Sequence, residues 1–199
     1  MKLATFLPFL RRDYVYGLAD QSGSLVAHQD ILLWGLRSQV VEGAVLFLEH
    51  LPLAPVAGQY VRGLAQAALA DLPADLASRV ETVTIQWFAE RRGTTENLVF
   101  VTKLPEFGHL AQLRRSTGYF FPICAVVHSV SYPGLAGSFM SLLLQWEPCD
   151  AIVATSAAAE KAIRSVIAQV EEILMEACPG LSGLDVQETV GGEDSLGGR

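Results

Sequence analysis

Two patterns of apolar positions alternate along this chain: short unbroken runs, and longer stretches with helical spacing. The short runs lie at 3–10 (LATFLPFL), 40–49 (VVEGAVLFLE), 79–88 (RVETVTIQWF), 98–104 (LVFVTKL), 121–129 (FPICAVVHS) and 149–156 (CDAIVATS). Their length and their valine, isoleucine and phenylalanine content predict six strands. Between them, Leu25, Ile31, Leu32 and Leu36 predict a helix over 24–37 with Ser24 as N-cap. An alanine- and leucine-rich stretch predicts another over 56–72, ended by Pro73. A short helix is expected in 105–116 and a longer one over 134–146. The clearest helix follows Ser156, where Ile163, Val166, Ile167, Val170, Ile173 and Leu174 form one stripe of a 3.6-residue period. Ser156 caps its start, Glu160 complements the helix dipole, and Pro179 with Gly180 stops it. Polar or glycine-bearing segments at 11–23 and 90–97 read as loops.

Strands that are apolar on both faces and alternate with helices predict a parallel sheet covered on both sides, joined by right-handed crossovers. The expected fold class is α/β: a Rossmann-like open parallel sheet with helices on both faces, spanning 1–179. Residues 180–199 are glycine-rich and acidic and read as a mobile tail or linker.

Composition narrows the function. A hydrophobic fraction of 51% supplies a real core. The net charge of −7 and pI near 5.0 argue against a nucleic-acid surface, and no basic run interrupts that picture. Cys124, Cys149 and Cys178 have no metal-ligand spacing, so no metal or other cofactor is expected; Cys124 and Cys149 read as small buried hydrophobes. An odd cysteine count without a framework fits a reducing cytoplasm. The opening MKLATFLPFL is interrupted by Pro8 and lacks a small-residue cleavage site, so it reads as strand and not as a signal peptide.

Open parallel sheets bind ligands at the carboxyl ends of their strands. That rule selects His128 and Ser129 after ICAVV, and Thr155 and Ser156 after AIVA beside a helix N-terminus. An imidazole there can bond a sugar hydroxyl, contact phosphate, or act as acid or base. The plain alternatives are a loop histidine bonded to backbone and a simple N-cap. Glu106, Phe107, Gly108 and His109 follow a strand and reach toward the same rim, or form an ordinary helix start. Arg91 and Arg92 read as a solvated turn.

The stretch FPICAVVHSVSYPGL…LLLQWEPCDAIVATSAAAEKAIRSVI resembles the amino-terminal domain of retaining, GT-B-fold glycosyltransferases of family 4, the glycogen-synthase-like kind. There a strand ends in histidine, a helix follows, and a hydrophobic strand preceded by Asp closes on a Ser that begins another helix. FLPFLRRDYVYGLAD is similar to the family's first strand and the loop beneath its cleft. The resemblance spans 1 to about 176 and is best over 120–167. It implies the amino-terminal half of a GT-B fold and transfer of a sugar from a nucleotide-sugar donor to a sugar or lipid acceptor. His128 takes the place of the strand-end histidine, whose implied role is a hydrogen bond to the donor sugar. Asp13, Tyr14, Tyr16, Gly17 and Asp20 fall in the first loop and would line the acceptor side; a solvated loop with buried tyrosine rings is the alternative.

Two departures matter. The family's Gly-Gly turn in the first loop is replaced by single glycines at 17 and 23, and no Glu-x7-Glu pair of the donor-binding domain occurs. The expectation is therefore an acceptor-side domain inactive alone, with the donor-binding domain supplied downstream or in trans. The competing reading is a stand-alone α/β binding or partner protein without catalysis. Hydrolase, dinucleotide-reductase and P-loop chemistries are disfavoured, because G-x-S-x-G, G-x-G-x-x-G and G-x4-G-K-[ST] do not occur.

Overall fold

The computed structural model describes residues 1–6, 23–48, 69–70, 72–84, 86–91, 97–127 and 135–178. Six strands, β1 (Lys2–Phe6), β2 (Gly43–Phe47), β3 (Val80–Val83), β4 (Leu98–Lys103), β5 (Ile123–Val127) and β6 (Ala151–Ala154), form one sheet in the order β3-β2-β1-β4-β5-β6. Every pairing is parallel. The helices are α1 (Gly23–Arg37), α2 (Ala74–Ala77), α3 (Gln86–Glu90), α4 (Phe107–Thr117), α5 (Leu135–Gln145) and α6 (Ala157–Ala177). The chain is thus a doubly wound, Rossmann-like α/β sheet, as its alternating pattern predicts. No helix among the described residues is long and apolar enough to cross a membrane.

The alternation of side chains along each strand sends two apolar sets to opposite faces. On one face Ala44 and Leu46 of β2 pack with Leu32 and Leu36 of α1 and Leu76 of α2. On the other, Phe6, Phe47, Phe100, Ile123 and Val127 meet α3, α4, α5 and α6. Aromatic rings dominate this second core. Phe88 stacks on Phe47 with centroids 4.8 Å apart, and Phe6 lies 4.9 Å from Phe100. Each such ring buries roughly 150–250 Å², so this layer supplies much of the driving force for folding.

Helix ends follow local chemistry. The Ser156 hydroxyl accepts from the Ala159 amide at 3.1 Å, the N-cap expected for α6. Gly118 ends α4 in the left-handed region at φ 65°, its amide donating to the Arg114 carbonyl. A 3₁₀ turn, Leu104–Glu106, leads into α4.

Several expectations need correction. The third strand stops at Val83, and Gln86–Glu90 is helical although 79–88 reads as strand. The Trp87 amide donates to Thr84 O, and the turn carries Trp87 and Phe88 together into the aromatic core, where an extended chain would send them to opposite faces. The second strand is shorter than 40–49, since residues 40–42 and 48 are described and lie outside it; residues 7–10 of the expected first strand, and residue 49, lie outside the described set. So do most of the expected 56–72 helix and the tail from 180. Ile173 is 54% exposed, because the apolar stripe of α6 is wider than its contact with the sheet and α5. Coverage of both faces also fails at the β6 edge, where Ala151 is exposed and Val153 is 40% exposed.

Candidate functional site

The carboxyl ends of β4, β5 and β6 lie side by side. Lys103 is level with Val126, and Val127 is level with Ala154. Whatever follows these strands is delivered to one rim of the sheet. After β4 come Glu106, in the 3₁₀ turn, and His109, in the first turn of α4. Glu106 Oε2 stands 3.6 Å from His109 Nδ1, with Glu106 mostly buried and His109 half exposed. A carboxylate in that position turns Nδ1 toward itself and leaves Nε2, on the exposed side of the ring, able to bond a hydroxyl. Lys103 is partly buried beside them; burial pushes its pKa down, and the Glu106 carboxylate works in the opposite direction.

After β6, Thr155 donates from Oγ1 to the Val127 carbonyl at 3.4 Å. That carbonyl belongs to the peptide linking β5 to His128, so the end of β6 steadies the root of the segment that carries the histidine. Ser156 spends its hydroxyl oxygen on the α6 cap, the plain role weighed for it from the sequence. Glu106 and His109 thus share a rim with Thr155 and Ser156, on either side of the end of β5. His128, Ser129, Asp13, Tyr14, Tyr16, Gly17 and Asp20 lie outside the described residues.

Arg91 is not a solvated turn residue. Its guanidinium carbon sits 4.2 Å above the Trp87 ring, and Nη2 is 4.0 Å from Glu81 Oε1. Arg92 lies outside the described residues. Cys149 is exposed, and Cys124 only partly buried, so neither is the fully buried hydrophobe expected. Burial raises the pKa of both thiols, and for Cys149 the adjacent Asp150 charge adds to this. No group of three His, Cys, Asp or Glu among the described residues could hold a metal ion.

One buried polar constellation has no counterpart in the sequence reading. Arg114 of α4 and Asp150, directly before β6, form a bidentate ion pair in the interior. Asp150 also accepts from the amides of Ile123 and Glu147, and Arg114 donates to the carbonyls of Phe121 and Gln145. These groups precede β5 and β6, so the pair sits at the amino edge of the sheet, opposite the rim formed by the carboxyl ends of the strands. The only hint in the sequence is an acid placed directly before an apolar strand.

Compared with protein-family models, with curated proteins and with solved structures, the chain finds no match.

Proposed function

We propose that this chain is the acceptor-side, amino-terminal domain of a GT-B-fold retaining glycosyltransferase, which moves a sugar from a nucleotide-sugar donor to a sugar or lipid acceptor. The observation that carries this reading is the position of β5: an interior parallel strand, flanked by β4 and β6, whose carboxyl end at Val127 leads directly into His128. A histidine delivered there can bond a sugar hydroxyl, as the resemblance implies. Glu106 and His109 add a carboxylate and an imidazole to the same rim, groups suited to the hydroxyls of a carbohydrate. Stabilising the departing diphosphate needs preorganised charge on the opposite wall of the cleft, which a second domain would supply.

The test is an amide-resolved NMR titration of the chain with oligosaccharide acceptors and with uridine and guanosine diphosphate sugars. Acceptors are expected to shift Thr155 and the Glu106–His109 segment, donors to bind weakly and shift Val127, and His128→Ala to abolish the donor response without changing the fold or the acceptor response. No response to any carbohydrate would overturn the proposal, as would tight donor binding by the chain alone.

A further inference from the structure

α6 carries a second stripe besides the one that faces the core. Ile163, Val170 and Leu174 are buried and hold the helix against the sheet and α5. On the opposite side Ala158, Lys161, Ser165, Ala168, Glu172 and Met175 recur at spacings of 3, 4, 3, 4 and 3. Every one of them is exposed, Met175 at 56%. This alternation of 3 and 4 places them in one line along the helix, the arrangement by which two helices pack side by side. Neither Lys161 nor Glu172 has a hydrogen bond or ion pair among the described residues.

The line is complementary to its own reverse. Counted outward from the midpoint between Ser165 and Ala168, Lys161 mirrors Glu172 and Ala158 mirrors Met175. Two copies laid antiparallel about a twofold axis through that midpoint set small residues against each other at the centre. Opposite charges then face each other on either side, and at each end a thioether lies over an alanine. A twofold contact requires this symmetry, because each position meets its mirror position twice.

Charge along α6 favours the same arrangement. In its amino half Arg164 bonds Glu160 within the helix, which leaves the Lys161 ammonium as the surplus charge. Its carboxyl half carries Glu171, Glu172 and Glu176, with no base in the last turn. Acids there oppose the helix dipole, which favours cations at a carboxyl end. An antiparallel second helix brings them Lys161 and the positive end of its own dipole. The distribution is unfavourable within one chain and matched between two.

We infer that the outer side of α6 docks a second copy of this chain, antiparallel, with Lys161 of each copy against Glu172 of the other. The stripe is about 27 Å long, so the contact falls short of the roughly 1,200 Å² of ordinary stable complexes. The dimer is therefore weak and forms at high protein concentration. It does not depend on the sugar reading, since none of these six residues belongs to the rim assigned there.

Sedimentation equilibrium on the intact chain tests this. The parent is expected to dimerise with a Kd on the order of 0.1 mM, and more weakly as salt rises. Lys161→Glu sets two acids against each other in each half of the contact, and Glu172→Lys sets two lysines; each should weaken self-association by about tenfold or more. Mixed in equal amounts, the two variants should pair with each other more tightly than either does with itself, because each supplies the charge the other lacks. Both positions are exposed, so both variants should keep the parent's far-ultraviolet circular dichroism. The proposal fails if the parent stays monomeric at about 1 mM or if the two variants do not pair when mixed. It also fails if either variant associates with itself like the parent, which would put the contact on another surface such as the β6 edge.

Discussion

Arg114 and Asp150 meet in the interior through two hydrogen bonds of 2.7 and 3.0 Å, although 36 residues separate them in the chain. The carboxylate takes two donors from the guanidinium, the amides of Ile123 at the start of β5 and of Glu147 just after α5, and the Cys149 thiol at 3.9 Å. The guanidinium in turn ties the end of α5 and the approach to β5 to α4. One ion pair therefore sets how three elements enter the sheet at its amino edge. Its geometry is bidentate and its remaining valences are satisfied, the conditions under which a buried pair repays its desolvation.

Breaking that pair is expected to be among the most damaging single changes. Asp150→Ala leaves a guanidinium buried without its counter-charge and should lower unfolding stability by about 3–5 kcal/mol. Urea unfolding measures it. Arg114→Met combined with Asp150→Leu should recover a large part of the loss, since no charge then stays stranded. A loss below about 1 kcal/mol for Asp150→Ala would show that the pair does not hold the edge together.

Two glycine-to-alanine changes should have opposite signs. A Cβ at Gly43 would meet the Arg79 carbonyl oxygen at 2.6 Å, backbone against backbone. Arg79 is itself pinned, donating to the carbonyls of Leu36, Val41 and Glu42 between α1 and β2. Gly43→Ala is expected to destabilise by about 1–3 kcal/mol. Gly137, in α5, has nothing within 4 Å of a Cβ, so Gly137→Ala should stabilise by roughly 0.5–1 kcal/mol. Melting temperatures of the two variants moving in the same direction would refute this account.

Thiol labelling should order the cysteines by environment. Burial raises the Cys124 pKa above the ordinary thiol value, so little thiolate forms near pH 8. Its alkylation rate should keep rising with pH beyond about 8.5, where an unperturbed thiol begins to saturate. Cys149 is accessible, yet its thiolate is opposed by burial first and by Asp150 next. It should label faster than Cys124 but still show a raised pH midpoint. Peptide mapping after timed alkylation reads both, and early modification of Cys124 would contradict the packing of β5.

Lys103 should leave a signature in alkaline stability. Its pKa is lower in the folded than in the unfolded chain, chiefly through burial. Between those two values the unfolded state holds more protons, so stability rises as pH increases through the window. Below the folded value the unfavourable contribution is fully present. Lys103→Met should therefore be no less stable than the parent at neutral pH and should lose this alkaline rise. Urea midpoints measured from neutral pH upward test both signs; a Lys103→Met chain clearly weaker than the parent would mean that the ammonium supports the fold.

Much of the architecture was legible in local pattern. The stripe on α6 and its Ser156 cap, the strand nature of Ile123–Val127, and the alternation that implies a parallel sheet all rest on interactions within a few residues, where periodicity and capping act. The rim assignments of Glu106, His109, Thr155 and Ser156 follow from the same logic, since a strand's end in sequence is its end in the sheet. Lys103 carried no such signal. Its partial burial at the end of β4 comes from what packs around it, which no local pattern announces.

The sequence by itself determined which segments are strands and helices and which residues leave the strands at their carboxyl ends, because burying one face of each element is a local constraint on spacing. Only the tertiary structure decided that Gln86–Glu90 turns into a helix under Phe47, that Asp150 finds Arg114, and that β6 leaves Val153 in solvent. Each of those outcomes is set by what the remainder of the chain brings alongside, and pairing across tens of residues leaves no period to read.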